Sequence, residues 1–210
     1  MNYGLMWYND FVTAARFTQV PGSDWLKVND QDYPDGSRYA NYGFYALMEW
    51  NPVHSKSGNI FRVSGGWRLH GVSAHVPLKG NLPEVNFDFS GHVFLFGLQY
   101  LSADTFNMAL TFSQGFRAPN LNESVMLGDT GQFFHIPNYA LRPENSHTLE
   151  FMSRGRIGSL TLSGTAYVSF LEDFIKRDVT LWEGKNKIDG KDVVHNVNAG
   201  KGVLWGTEGS

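Results

Sequence analysis

Residues able to do chemistry gather in one stretch of the sequence, Arg117 to Glu144. Arg117 carries a planar cation that can clamp a carboxylate through two parallel hydrogen bonds, with Glu123 and Glu144 as candidate partners. Between them stand Met126, Phe133, Phe134, His135 and Tyr139. The imidazole of His135 could bind a metal-bearing ligand; its ordinary alternative is a solvated or hydrogen-bonded loop residue. His70, His92 and His195 have no metal-ligand spacing with one another. There is no Gly-rich phosphate loop, no Gly-x-Ser-x-Gly and no His-Glu-x-x-His. Glu172 and Asp173, as adjacent strand-end residues, point to opposite faces and do not pair for acid–base work. The chain reads as a non-enzyme without a resident cofactor or metal.

What must position these groups is a β-structure. The 210 residues hold 23 Gly, 16 Phe, 9 Tyr and 6 Trp but no Cys, so disulfides and thiolate metal sites are excluded. A net charge of -3 leaves no electrostatic footprint for nucleic acid. The strongest apolar run, Val93–Leu101, is far short of the ~20 residues of a membrane helix. Met1-Asn2-Tyr3-Gly4 shows no signal-peptide pattern. Aromatic residues favour strands and Gly favours turns.

Period-2 alternation is plain in Tyr42–Trp50, Phe61–His70, Phe106–Ser113 and Leu160–Phe170. Tyr3–Gln19, Phe87–Leu101, Ser146–Arg154 and Gly202–Glu208 read as further strands, giving about eight. Several match the ~9–11 residues of a tilted membrane strand. Short connections (51–57, 102–104, 155–158) alternate with long ones (20–40, 71–86, 116–145, 175–194). A membrane barrel sorts its connections in this way, with tight periplasmic turns and long external loops. Opposite the apolar stripes stand Glu49, Arg62, Arg68, Glu150, Arg154 and Glu208, while Tyr42, Trp50, Trp67, Phe112 and Trp205 lie near strand ends. In the loop 182–191, Asp189-Gly190 is a turn signal within a polar hairpin.

Two motifs are more specific than periodicity. Gly115-Phe116-Arg117-Ala118-Pro119 ends a strand. After a long loop, Asn138, Leu141, Pro143-Glu144 and Ser146 lead into a strand bearing Glu150. Asn198-Ala199 and Gly206-Thr207-Glu208 follow in order. This resembles the TonB-dependent outer-membrane receptors, although the second motif departs from the family pattern: Pro137-Asn138 reverses the usual Asn-Pro order and Tyr139-Ala140 intervenes before Leu141. Physically, Pro119 ends ladder pairing and Gly115 permits a bulge or close packing.

The resemblance implies an all-β, antiparallel transmembrane β-barrel of 22 strands with a plugged lumen. Residues 1–210 would then be a single region of about eight strands, a fragment from the central-to-late part of the barrel. The plug domain, TonB box and terminal strands are expected outside it. The implied location is the bacterial outer membrane, in contact with its lipid. The implied function is uptake of a scarce nutrient, energised through the TonB protein acting on the plug. A ferric siderophore is the first expectation for the ligand, with aromatic groups such as Tyr139, Trp182 and Tyr39 facing its flat chelating arms. Haem is the second, ligated by His135 with Phe133 and Phe134 against the macrocycle, as a loop His at this place serves in the haem-receptor branch. Arg117 is a further ligand candidate or a rim clamp. Rivals are a soluble β-sandwich binding module and a passive porin without a plug.

Overall fold

A computed structural model describes residues 1–13, 16–19, 22, 26–29, 35–54, 58–77, 83–102 and 105–210; of 16–19, 26–29 and 54 it describes the backbone alone. The strands are β1 (Asn2–Phe11), β2 (Arg16–Gln19), β3 (Leu26–Asn29), β4 (Arg38–His54), β5 (Ile60–Val76), β6 (Val85–Leu101) and β7 (Phe106–Arg117). A one-turn helix α1 (Leu121–Val125) and the short strands β8 (Gly128–Asp129) and β9 (Phe134–His135) follow. The chain continues with β10 (Glu144–Ile157), β11 (Leu160–Glu172), β12 (Ile175–Val179), β13 (Lys187–Ile188), β14 (Lys191–Asn198) and β15 (Lys201–Gly209).

Eight of these form one antiparallel sheet in the order β1-β4-β5-β6-β7-β10-β11-β15, so chain neighbours in the wall are sheet neighbours throughout. The sheet is open, as one arc of a barrel. Its register sorts the side chains. Leu5, Phe44, Leu69 and His92 fall in line on one face, as do Phe96, Phe112, Leu149 and Val168. That face carries the large apolar side chains, and many are exposed: Trp7 at 78 %, Met48 at 60 % and Trp205 at 75 %. The other face carries Arg62, Arg68, Thr111, Thr148, Glu150 and Glu208. An exposed apolar face opposite a polar one inverts the pattern of a water-soluble sheet and suits a wall between lipid and an aqueous lumen.

Three tyrosines cover three glycines directly across the ladder: Tyr45 over Gly4, Tyr42 over Gly71 and Tyr167 over Gly206. A Cβ on Gly4 would stand 2.6 Å from the Tyr45 ring, and one on Gly206 2.7 Å from the Tyr167 hydroxyl.

Three expectations from sequence need correction. The first strand stops at Phe11 rather than running to Gln19, because Val12 leaves the ladder to exchange backbone hydrogen bonds with Gly36 and Ser37. The segment 71–86 is not a long loop: β5 and β6 stay paired up to Val76↔Val85, since Val72, Ala74, Val76 and Phe87 bury themselves under the loops above. The regions 116–145 and 175–194, taken for long connections, hold strands of their own beyond the hairpin expected at 182–191. Of the two roles open to Gly115 it takes close packing, against Ser146, while the sheet's register shift lies between Trp50 and Val53. Ala103 and Asp104 of the second short turn, 55–57 of the first and parts of 20–34 lie outside the described residues.

Leu110 sits mid-β7 on the apolar face, opposite Leu98 and Phe151. In the full-length protein refolded into lipid vesicles, Leu110→Lys is expected to cost about 2–4 kcal/mol by denaturant titration, and Leu110→Ile under about 1.5 kcal/mol.

Candidate functional site

At the end of the wall opposite the short turns, the long connections fold into a second layer. β12, β14, β9 and β8 form a small sheet in that order, β13 pairs with β14, and β14 runs parallel to β9. Val193 and Val194 at its centre are 0 % and 1 % exposed. Asp189 (φ 50) and Gly190 (φ 79) turn the β13–β14 hairpin, in the doubly left-handed form that Asp-Gly favours. Beneath this layer, Ala74, Val76, Phe87 and Val125 form an apolar core with Tyr39, Phe89, Leu121 and Tyr139 against it.

The layer is tied to the wall through α1. Asn120 caps the helix: its side chain accepts from the Glu123 amide at 2.8 Å, and the Glu123 carboxylate accepts from the Asn120 amide at 3.0 Å. The same carboxylate accepts from Arg117 Nη1 at 2.8 Å, while Arg117 Nε donates to Glu144. The second oxygen of Glu144 accepts from the Ile175 amide at 2.6 Å. One guanidinium thus joins the end of β7, helix α1, the start of β10 and the start of β12. Asparagines complete the lacing. Asn196 donates to the Glu123 carbonyl at 2.9 Å and its own carbonyl accepts from Asn138 at 2.8 Å. Asn198 holds the backbone of Arg142 at 2.9 Å and of Asp173 at 2.6 Å.

Between α1, β9 and β12 opens a cleft of about 500 Å³, within the usual size of ligand pockets. Its walls include Asn122, Met126, Phe133, His135, Arg177 and Asn196. Phe133 holds the Arg177 guanidinium over its ring at 5.0 Å. His135 is 4 % exposed. Burial pushes its imidazole below the ordinary value of about 6.5, and the Arg177 cation pushes it further the same way, so the ring is neutral at pH 7.

Of the residues singled out from sequence, the structure brings Phe133 and His135 to the cleft. Phe134, next along β9, pairs with Val193 and Asp129 and is not part of the cleft wall. Tyr139 packs on the apolar core, and burial raises its phenol. Arg117 and Glu144 form the clamp. Ala118 and Leu141 are buried, at 5 % and 3 %. Pro119 stands two residues past the end of β7, and its carbonyl accepts from Tyr39. The Pro143 carbonyl accepts from Asn145, while Gly115, Phe116 and Ser146 border a second, smaller hollow beside the clamp. Glu150 lies on the polar face of β10. Trp182 closes a turn with Lys185. Sequence reading missed Arg177, in the stretch 175–194 taken for a connection, and Asn196, just past its end. Among the described residues, no group of three His, Asp or Glu could hold a metal ion, and no helix is long and apolar enough to cross a membrane.

A family model described as TonB dependent receptor-like, beta-barrel, matches residues 2–210. No curated protein matches. Among solved structures, the chain is similar to a double mutant of the Serratia marcescens hemophore receptor HasR in complex with its hemophore HasA and heme, with TM-score 0.74 and 14 % identity over 99 % of this chain and 35 % of that one. It is also similar to the copper transporter OprC, with TM-score 0.64 and 17 % identity over 86 % of this chain and 26 % of that one. The siderophore receptor PirA from Pseudomonas aeruginosa gives TM-score 0.51 and 18 % identity over 82 % of this chain and 39 % of that one. At these identities the likeness is one of fold. The chain spans about a third of the length of the first of these structures.

Replacing Arg117 by Ala strands two carboxylates. Because the guanidinium is half-exposed, the expected loss is local and about 1–2 kcal/mol. Amide hydrogen exchange in α1 should then speed up about tenfold, while mid-strand β10 amides stay unchanged. The depressed His135 acts separately. The unfolded segment binds the proton first, so its contribution is whole above about pH 6.5 and is lost as pH falls below that toward the folded value. Protection of the β9 amides, taken relative to their intrinsic exchange rate at each pH, should therefore fall between pH 7.5 and 5.5, and His135→Gln should remove that dependence.

Proposed function

The chain belongs to the TonB-dependent receptor-like β-barrel family across residues 2–210, and on that premise we propose that it forms part of the wall and loop layer of a bacterial outer-membrane uptake receptor. The carrying observation is the inverted sheet: eight long strands with an exposed apolar face, a polar face opposite, and a folded layer gathered at one end. A soluble sandwich would bury Trp7, Met48 and Trp205 in a shared core, whereas here they face outward. A passive porin has no use for a loop layer laced this firmly to the wall.

The ligand is a scarce iron chelate, taken first as a ferric siderophore. The cleft supports that reading with donor-bearing walls, Asn122, Gln132, Arg177 and Asn196, suited to an anionic chelate. Haem is the second reading. The neutral imidazole of His135 at the cleft favours it, since only an unprotonated ring nitrogen can bind iron. At 4 % exposure, ligation would require β9 to part from β14 far enough to bare the ring. Transport is energised by TonB acting through a plug, and these proteins are carriers rather than enzymes.

The complete receptor should support growth on a ferric siderophore as sole iron source in a TonB-positive strain and lose that support without TonB. Growth that persists without TonB sinks the energised reading. For the ligand, the purified receptor is titrated with haem and with a ferric catecholate. A Soret shift that His135→Ala abolishes selects haem; an unchanged Soret titration removes His135 as the iron ligand.

A further inference from the structure

The cleft and the clamp share residues. Glu123 stands in the cleft wall, and its carboxylate is the one that Arg117 Nη1 reaches at 2.8 Å. The Arg117 Nε–H continues to Glu144, whose other oxygen accepts from the Ile175 amide at 2.6 Å. Ile175 opens β12, and Arg177 lies two residues further on the same side of that strand, about 7 Å along it. Arg177 is the cation of the cleft, held over the Phe133 ring at 5.0 Å. In the ladder it stands opposite Asn196, which donates to the Glu123 carbonyl at 2.9 Å. The bonds therefore run in a closed ring, from one wall of the cleft through the clamp to the other wall and back.

Neither wall is rigid by itself. The single turn of α1 is too short to be stable as an isolated helix. Leu121 and Val125, four residues apart, seat one side of it on the apolar core. Asn122, Glu123 and Met126, on the neighbouring side, border the cleft. A rod seated along one side can still roll about its axis, and a roll carries the cleft side with it. Asn196 resists the roll at the helix backbone, and Arg117 resists it at the Glu123 carboxylate. The other wall, β12, is a five-residue edge strand with its ladder to β14, and Glu144 fixes its start to the barrel wall. The fork of Arg117 matters as much as its charge. Nε and Nη1 are set rigidly in one plane, so the two carboxylates they hold keep a fixed relative direction; an ammonium imposes none.

We propose that Arg117 and Glu144 are positioning residues for the cleft: standing outside its walls, they fix the tilt of α1 against β12 and so set the affinity for an anionic chelate bound between Asn122 and Arg177. The inference rests on the reading of the cleft as the ligand site. A cleft already held in its binding shape loses less freedom when it is filled. By linkage, a ligand that bridges the two walls stabilises the clamp by the same factor that the clamp adds to its affinity.

The test uses the complete receptor in detergent micelles, titrated with a ferric catecholate and with haem, both of which carry negative charge. Charge and position predict opposite signs at Glu144. Glu144→Gln removes a negative charge near the chelate, which by Coulomb's law alone tightens binding. It also leaves one acceptor oxygen for two donors, Arg117 and Ile175, and loss of that tie is expected to weaken binding about tenfold. Arg117→Lys keeps the cation and loses the fork, and the same weakening of about tenfold is expected. Because both substitutions cut one tie, the double variant should bind no more weakly than either single one. In wild type the chelate should slow amide exchange in α1 and at Ile175, and in both variants that protection should shrink while mid-strand β10 amides stay unchanged. Heat-modifiable gel mobility verifies that each variant is a folded barrel. Tighter binding by Glu144→Gln, or wild-type affinity in Arg117→Lys, overturns the positioning role and leaves the cleft reading intact. So do losses that add in the double variant. A receptor that binds neither chelate, or that binds one equally well after Arg177→Gln, overturns the cleft reading and this inference with it.

Discussion

A backbone amide inside hydrocarbon has no water to bond, so every one of them must find a carbonyl within the protein. The wall of this chain obeys that demand without interruption over long stretches. β5 and β6 hold seventeen consecutive pairs, from Ile60↔Leu101 to Val76↔Val85. Once pairing is obligatory, side chains can only alternate, and two solvents on two sides then dictate the composition of each face. The exposed Trp, Phe and Leu of one face and the Arg, Glu and Thr of the other are both consequences of the same backbone constraint.

Above the membrane the constraint relaxes, and a different economy operates. Water is present, so loops need not be regular, yet these are held as a layer by few polar links of high multiplicity. Arg117 touches two carboxylates, Glu144 serves two donors, and Asn196 and Asn198 each join two segments distant in sequence. Each such link is modest in an aqueous setting. Their value lies in convergence: four chain segments share one small neighbourhood, so losing any one member loosens the others. The apolar patch of Ala74, Val76, Phe87 and Val125 gives the layer its seat on the top of the β5–β6 hairpin.

The wall was legible in the sequence and the layer was not, for a physical reason. Lipid-facing strands need apolar residues at every second position, and Phe106–Ser113 or Leu160–Phe170 display that period openly. The loop strands answer to no second solvent. β9 is two residues long and finds its partner β14 almost sixty residues later, in parallel, which no local pattern can announce. The upper part of β5 misled for a related reason: Gly71, Ser73 and His75 sit on the outer face above the hydrocarbon, where polar residues are free to appear. At the site, Arg117, Glu123 and Glu144 could be paired on charge alone. Arg177 and Asn196 could not, because their place depends on how the layer closes. His135 was visible as a residue, but its burial and its neutral ring belong to the folded layer.

Alternation of faces leaves an ambiguity that the tyrosine–glycine pairs remove. A strand that slips by one residue turns its greasy side to water and is rejected at once. A slip by two keeps every side chain on its proper face and nearly every hydrogen bond intact, so inside–outside polarity is blind to it. Tyr45 over Gly4, Tyr42 over Gly71 and Tyr167 over Gly206 are not blind. Move any of these strands by two and a phenol ring meets a residue with a side chain in place of its glycine. These pairs are therefore an addressing system for assembly, a key cut into three of the seven seams that tells equivalent-looking alignments apart while the wall is being stitched.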